Sequence, residues 1–182
     1  SYLSSIFNLG GKFFLIQIAA VLLYSTDSFI INYFISSEQV AIYNVSVKYF
    51  SLITIALSIF LTPYWSAMTK FYFKNDTQWI RNTVSRLIKL VIAFSCACIL
   101  LIIISGKVFN LWLGELVVIP FSLVLVMGVN TIIMCILQLC SLILNSTSKV
   151  KVQLYVSLCS ALINIPLSIF LAVDLELGIT GV

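Results

Sequence analysis

Two charged side chains stand where the chain is otherwise apolar, Asp27 and Lys48. An ionisable group at membrane depth costs from about 2.5 to more than 10 kcal/mol, so it demands a partner, a water-filled cavity or a function. Asp27 precedes Ile35 by eight residues, Lys48 follows Val40 by eight, and Ser36 to Gln39 connect the two apolar runs. At about 1.5 Å per helical residue both charges come to one level of an antiparallel hairpin, roughly 12 Å from its turn. Two chemistries follow. The charges can neutralise each other and fasten two helices, or they can face a hydrated path and act on what passes through it.

Polar residues around them bear on that choice. Asn44, Lys48, Ser51, Ser58 and Thr62 recur at spacings of four, three, seven and four, a single stripe along one helix. Gln17, Tyr24, Asp27 and Ser28 line one side of the preceding helix; Asn130, Gln138, Ser141 and Asn145 mark a later one, and Gln153, Ser157, Ser160, Asn164 and Ser168 the last. Such residues serve either as interhelical hydrogen-bonding glue, worth about 0.6 kcal/mol each in measured cases, or as the walls of a wet cavity. Four helices with a polar face each, and an intervening one, Leu87 to Ser105, that is almost wholly apolar, favour a bundle around a hydrated cavity with one helix displaced toward lipid.

Other chemistries lack their residues. The chain contains no histidine, and its five cysteines (Cys96, Cys98, Cys135, Cys140, Cys159) lie inside apolar runs. Cys96 and Cys98 diverge on a helix, so the cysteines read as small packing residues and no metal site is expected. There is no phosphate-cradling glycine loop followed by Lys and Ser or Thr, no Gly-x-Ser-x-Gly elbow and no HExxH. The outer loops are too short for a soluble catalytic domain. A carrier, and not an enzyme, is the expected class, with no cofactor beyond a coupling proton or sodium ion.

The elements that position these residues must span a bilayer. Apolar residues make up 62% of the 182 positions and charged residues 9%, against roughly 45–50% and about 25% in soluble domains. Apolar runs predict an all-α polytopic membrane protein with helices near 13–35, 40–68, 87–105, 117–144 and 152–173, and the start of a sixth at 178–182. Lys12, Lys70, Lys74, Arg81, Arg86, Lys89, Lys149 and Lys151 all fall on one side, and Lys107 falls on the other with Glu38, Glu115, Asp174 and Glu176. The side with the eight basic residues is cytoplasmic, because basic residues resist translocation. The net charge of +4 is therefore a topology signal, and no nucleic-acid partner is expected. Lys70 to Lys89, with Phe71, Tyr72, Phe73 and Trp79, reads as a connector lying in the cytoplasmic headgroup layer, either a plain aromatic belt or a lipid-binding element. Pro63 and Pro166 predict kinks. Both ends read as cut points, which makes residues 1–182 most of the second half of a longer protein.

Several runs resemble a known family: Leu9-Gly10-Gly11-Lys12-Phe13-Phe14, Tyr24-Ser25-Thr26-Asp27, Val40 to Lys48, and Thr62-Pro63-Tyr64-Trp65-Ser66-Ala67, followed by Asp76, Trp79, Ile80 and Arg81. They are similar to the start of the second half of the polysaccharide flippases, the Wzx-type O-antigen or capsule repeat-unit transporters of the multidrug/oligosaccharidyl-lipid/polysaccharide superfamily. The resemblance implies a MATE-like fold of two six-helix lobes, with this chain supplying most of the C-terminal lobe and a missing N-terminal lobe completing the cavity. It implies movement of an undecaprenyl-diphosphate-linked oligosaccharide across the bacterial inner membrane, its lipid tail remaining among the membrane lipids. On that reading Lys48 attracts the diphosphate or an acidic sugar and Asp27 carries the coupling ion, while Gln17, Tyr24, Asn44, Ser51, Asn130, Gln138, Gln153 and Asn164 line the cavity. The rival readings are a cation-coupled multidrug exporter of the MATE type and a lipid II flippase. A polymerase or ligase of the same pathway would need a large external loop, which the sequence does not provide.

Overall fold

The computed structural model describes residues 2–114 and 118–182, with the backbone alone at 2–9, 12, 13, 19, 20 and 22–24. The described residues form five long α-helices and no strand: α1 Tyr2–Phe34, α2 Ser37–Phe73, α3 Thr77–Leu113, α4 Phe121–Ser146 and α5 Val150–Ile169. From α5 the chain runs through a π-helical turn, Phe170–Asp174, to a short 3-10 turn, Gly178–Thr180. Among the described residues, α2, α3, α4 and the segment Val150–Asp174 are each long and apolar enough to cross a membrane.

The helices outrun the apolar stretches of the sequence. At 37 residues each, α2 and α3 are about 55 Å long, some 25 Å more than a hydrocarbon core of about 30 Å. Hydropathy marks where lipid ends, whereas the backbone ladder continues through the headgroups into water. The expected connector from Thr69 to Arg86 is therefore mostly helix, and α3 runs past Ser105 to Leu113. The expected fourth-span start at Val117 lies outside the described residues, and α4 begins at Phe121, after Pro120.

Short side-chain devices make these tight reversals. Ser36 caps α2, its hydroxyl accepting from the Gln39 N–H at 3.3 Å, the Ser half of a capping box. After Phe73, Asn75 takes φ 56°, and the Asp76 N–H to Phe71 carbonyl (3.1 Å) and Asn75 N–H to Tyr72 carbonyl (3.0 Å) bonds close α2 in a Schellman motif. Asp76 then starts α3 by accepting from the Trp79 N–H at 3.0 Å, and Trp79 stacks on Phe71 across the turn at 4.0 Å. Pro63 has no N–H to give the preceding turn, yet α2 continues to Phe73.

Packing divides the chain into two compact units, Ser1–Ala41 with Ser148–Val182, and Ile42–Thr147. In the first, α1 packs along α5; Ile16, Ile30, Ile31, Val150, Ala172 and Ile179 are buried. Gly181 fits tightly there, since a Cβ would lie 2.7 Å from the Leu171 carbonyl carbon and 2.8 Å from the Ala172 nitrogen.

In the second unit α3 packs along α4, and α2 joins them through Tyr49. Its hydroxyl donates to the Leu101 carbonyl at 2.9 Å, and its ring lies 4.7 Å from Phe109. Phe50, Leu57, Met68, Leu87, Leu123, Val124, Cys98 and Cys135 fill the core. Gly128 lets α3 approach α4: the Cys98 thiol reaches the Gly128 carbonyl at 3.5 Å, and a Cβ on Gly128 would overlap Ile102, lying 2.6 Å from its Cγ1. Large aliphatic side chains cover the outside of this unit, Ile103 at 72% and Leu100 at 60% exposed among them, as a lipid-facing surface requires.

Candidate transport surface

The stripe on α2 is a continuous surface. The helix buries Tyr43, Ser46, Tyr49, Phe50, Ile53, Leu57, Leu61 and Met68, and helical phase puts Asn44, Lys48, Ser51, Ser58 and Thr62 on the far side. Lys48, Ser58 and Thr62 are exposed, and Asn44 and Ser51 half-buried. The stripe extends further than its apolar run, through Ser66 and Thr69 to Lys70. Thr69 and Lys70 lie beyond the expected span, which ends at Met68, while Ser66 lies within it and the expected stripe omits it; their spacing of four, three and one from Thr62 continues the same face. Together Thr62, Trp65, Ser66, Thr69 and Lys70 line a groove of 510 Å³.

The hydroxyls on this face all donate to their own helix: Ser51 to the Lys48 carbonyl (2.8 Å), Ser58 to Ile55 (2.7 Å), Thr62 to Ser58 (2.7 Å), Ser66 to Pro63 (3.3 Å) and Thr69 to Trp65 (2.9 Å). Each hydroxyl proton is thereby committed, and the oxygen keeps lone-pair capacity. The stripe is a row of acceptors, bounded by the cations Lys48 and Lys70 and suited to water or to hydroxyl-bearing ligands.

On α1, Asp27 is half-buried and its Oδ1 is enclosed. Helical phase places it on the side of α1 that carries Ile16, Ile30 and Ile31, and within this unit α1 packs against α5. Gln17 is exposed, and the Tyr24 side chain lies outside the described residues. On α5, Gln153 and Asn164 are half-buried, with Gln153 Oε1 and Asn164 Oδ1 enclosed and unpartnered.

The residues of the α4 stripe separate. Asn130 is exposed, whereas Gln138 turns inward and donates from Nε2 to the Thr54 carbonyl on α2 at 3.2 Å. Gln138 thus performs the gluing that the spacing left open. No group of three or more metal-ligating side chains occurs among the described residues.

Long helices apolar enough to cross a membrane, carrying polar faces, mark a multi-pass membrane protein. The family model MatE matches residues 13–170. The chain belongs to the MatE family, within the multidrug/oligosaccharidyl-lipid/polysaccharide superfamily of transporters. No curated protein and no solved structure matches it.

Proposed function

We propose that the chain is most of the C-terminal lobe of a flippase that moves undecaprenyl-diphosphate-linked oligosaccharide repeat units across the bacterial inner membrane, for O-antigen or capsule synthesis. The observation that carries this reading is the exposed α2 stripe, a row of hydroxyl acceptors between Lys48 and Lys70 on the face turned away from the helix's own packing contacts. A sugar offers many hydroxyl donors to such a row, a diphosphate pairs with an ammonium group, and the isoprenoid tail needs no protein path because it can stay in lipid. The resemblance of residues 9–81 to the polysaccharide flippases supports the same substrate. Lys48 holds the diphosphate during passage, Asp27 binds the coupling proton or sodium ion, and an N-terminal lobe supplies the opposite wall. Coupling to the membrane potential would provide about 2.3 kcal/mol per charge at 100 mV.

The enclosed Asp27 carboxylate also fits a cation-coupled multidrug exporter of the same superfamily, in which it would exchange a coupling cation for a cationic drug. The two are separated by complementing a flippase-deficient host with the full-length gene, at matched protein level in the membrane and with matched sugar specificity. The flippase reading expects the wild type to restore surface polymer. It expects Lys48→Ala to lower polymer about tenfold or more, the loss of about 1.4 kcal/mol, with lipid-linked precursor accumulating on the cytoplasmic side. Failure of the wild type to restore polymer, joined to drug resistance lost in Asp27→Asn, would replace it with the exporter.

A further inference from the structure

The outer face of α3 changes character at one residue. The helix buries Thr83, Leu87, Val91, Cys98, Ser105 and Phe109, and the opposite side is exposed along its whole length. Lys89 and Lys107 both stand there, exposed and 18 residues apart. That is five helical turns, about 27 Å, so the two ammonium groups share a direction and bracket nearly the thickness of the hydrocarbon core. Between them the face shows Ile92, Ala93, Cys96, Leu100, Ile103 and Ile104, all exposed. The lipid-facing span of α3 therefore runs from Leu90 to Gly106, with Lys89 at the cytoplasmic boundary and Lys107 at the outer one.

Toward the N-terminus the same face carries Gln78, Arg81, Asn82, Ser85 and Arg86, all exposed. Along the axis, Arg86 stands about 4.5 Å and Arg81 about 12 Å beyond Lys89. A headgroup layer is roughly 5–8 Å deep on each side, so Lys89 and Arg86 lie within it. Arg81 stands about 4–7 Å beyond it, from where a long side chain can reach back toward phosphate. Among the described residues of this unit, the one acid near these cations in the chain, Asp76, already uses its carboxylate to cap α3. The three cations thus continue a lipid-facing surface without a break and have no acid on their own face.

We propose that Arg81, Arg86 and Lys89 form a binding surface for anionic phospholipid headgroups of the cytoplasmic leaflet. A guanidinium takes a phosphodiester through two parallel N–H bonds, and three cations on one face select anionic over zwitterionic lipid. The surface is independent of the cargo, because it lies on α3 and uses none of the stripe on α2.

The test is electron spin resonance on the full-length protein in phosphatidylcholine vesicles, with spin-labelled phosphatidylglycerol or spin-labelled phosphatidylcholine as probe. The expected result is a several-fold preference of the motionally restricted layer for phosphatidylglycerol. The preference should fall toward unity in R81Q/R86Q/K89Q, keep part of its size in R81K/R86K, which retains the charge but loses the two-bond fork, and persist in K149Q/K151Q. High salt on the wild type, which needs no variant to fold, should weaken it by screening exposed pairs. Equal restriction of the two probes by the wild type at low salt overturns the proposal, as does an unchanged preference in the triple variant.

Discussion

At the scale of single residues, side chains of similar polarity do opposite work, and a helix's own packing decides which. Gln138 and Lys48 both stand in polar stripes, but Gln138 gives its Nε2 proton to the Thr54 carbonyl while Lys48 is exposed. Interhelical hydrogen bonds in membranes average about 0.6 kcal/mol, and the enclosed Gln138 Oε1 has no partner. Replacing Gln138 with Leu gives up one modest bond and removes one unsatisfied acceptor. The expected outcome is a stability change within about 1 kcal/mol and transport close to wild type, measured by detergent-denaturant titration and by transport at matched protein level. Gly128 should be far less tolerant. A β-branched side chain there meets Ile102 and approaches Phe50, and overpacking a tight contact costs about 1–3 kcal/mol. Gly128→Val should lower the yield of folded protein and its melting temperature, and Ile102→Ala in the same chain should restore part of both.

At the scale of elements, the turn between α2 and α3 rests on few groups. Asp76 supplies the capping carboxylate, and losing such a cap typically costs about 1 kcal/mol. Asp76→Ala should therefore destabilise α3's first turn by that order and speed hydrogen exchange there, and Asp76→Ser should recover most of the protection. How much of this element was legible follows from what lipid selects. The apolar runs of α2 and α3 are visible in the sequence because hydrocarbon admits little else. Their ends are not, because Lys70 to Phe73 and Thr77 to Arg86 are polar or mixed segments that water solvates as readily in helix as in loop. Asp76 followed by Trp79 and a basic run carried the start signal, but hydropathy weighs charge as the end of a span. On the candidate surface, spacing located the stripe of α2, since a period near 3.6 fixes a face without knowledge of the neighbours. It left Gln138 undecided, because whether a polar group meets a carbonyl or water depends on the helix opposite.

At the scale of the whole molecule, the decisive property is whether the α2 stripe is wet. Each of its hydroxyls is satisfied by its own helix, so polarity alone does not require water, and a face of Ser and Thr can pack against another helix without it. Lys48 changes the balance, since an exposed ammonium within a span needs either counter-charge or hydration. Single cysteines at Ser58, Thr62 and Ser66, in a full-length chain whose five native cysteines are replaced, distinguish these states. A membrane-impermeant, water-borne thiol reagent forms its adduct through the thiolate, and thiolate exists in measurable amount only where water reaches it. Cysteines at Ile92 and Ile103, exposed on the outer apolar face of α3, serve as lipid-facing references. A hydrated cavity predicts labelling at the three stripe positions at least about tenfold faster than at the two references, slowed when a polyprenyl-diphosphate sugar occupies the path. Equal, slow labelling at all five would make the stripe a dry helix-packing face. Transport would then have to use a route built by other helices, and Lys48 would be left as an ion-pair partner.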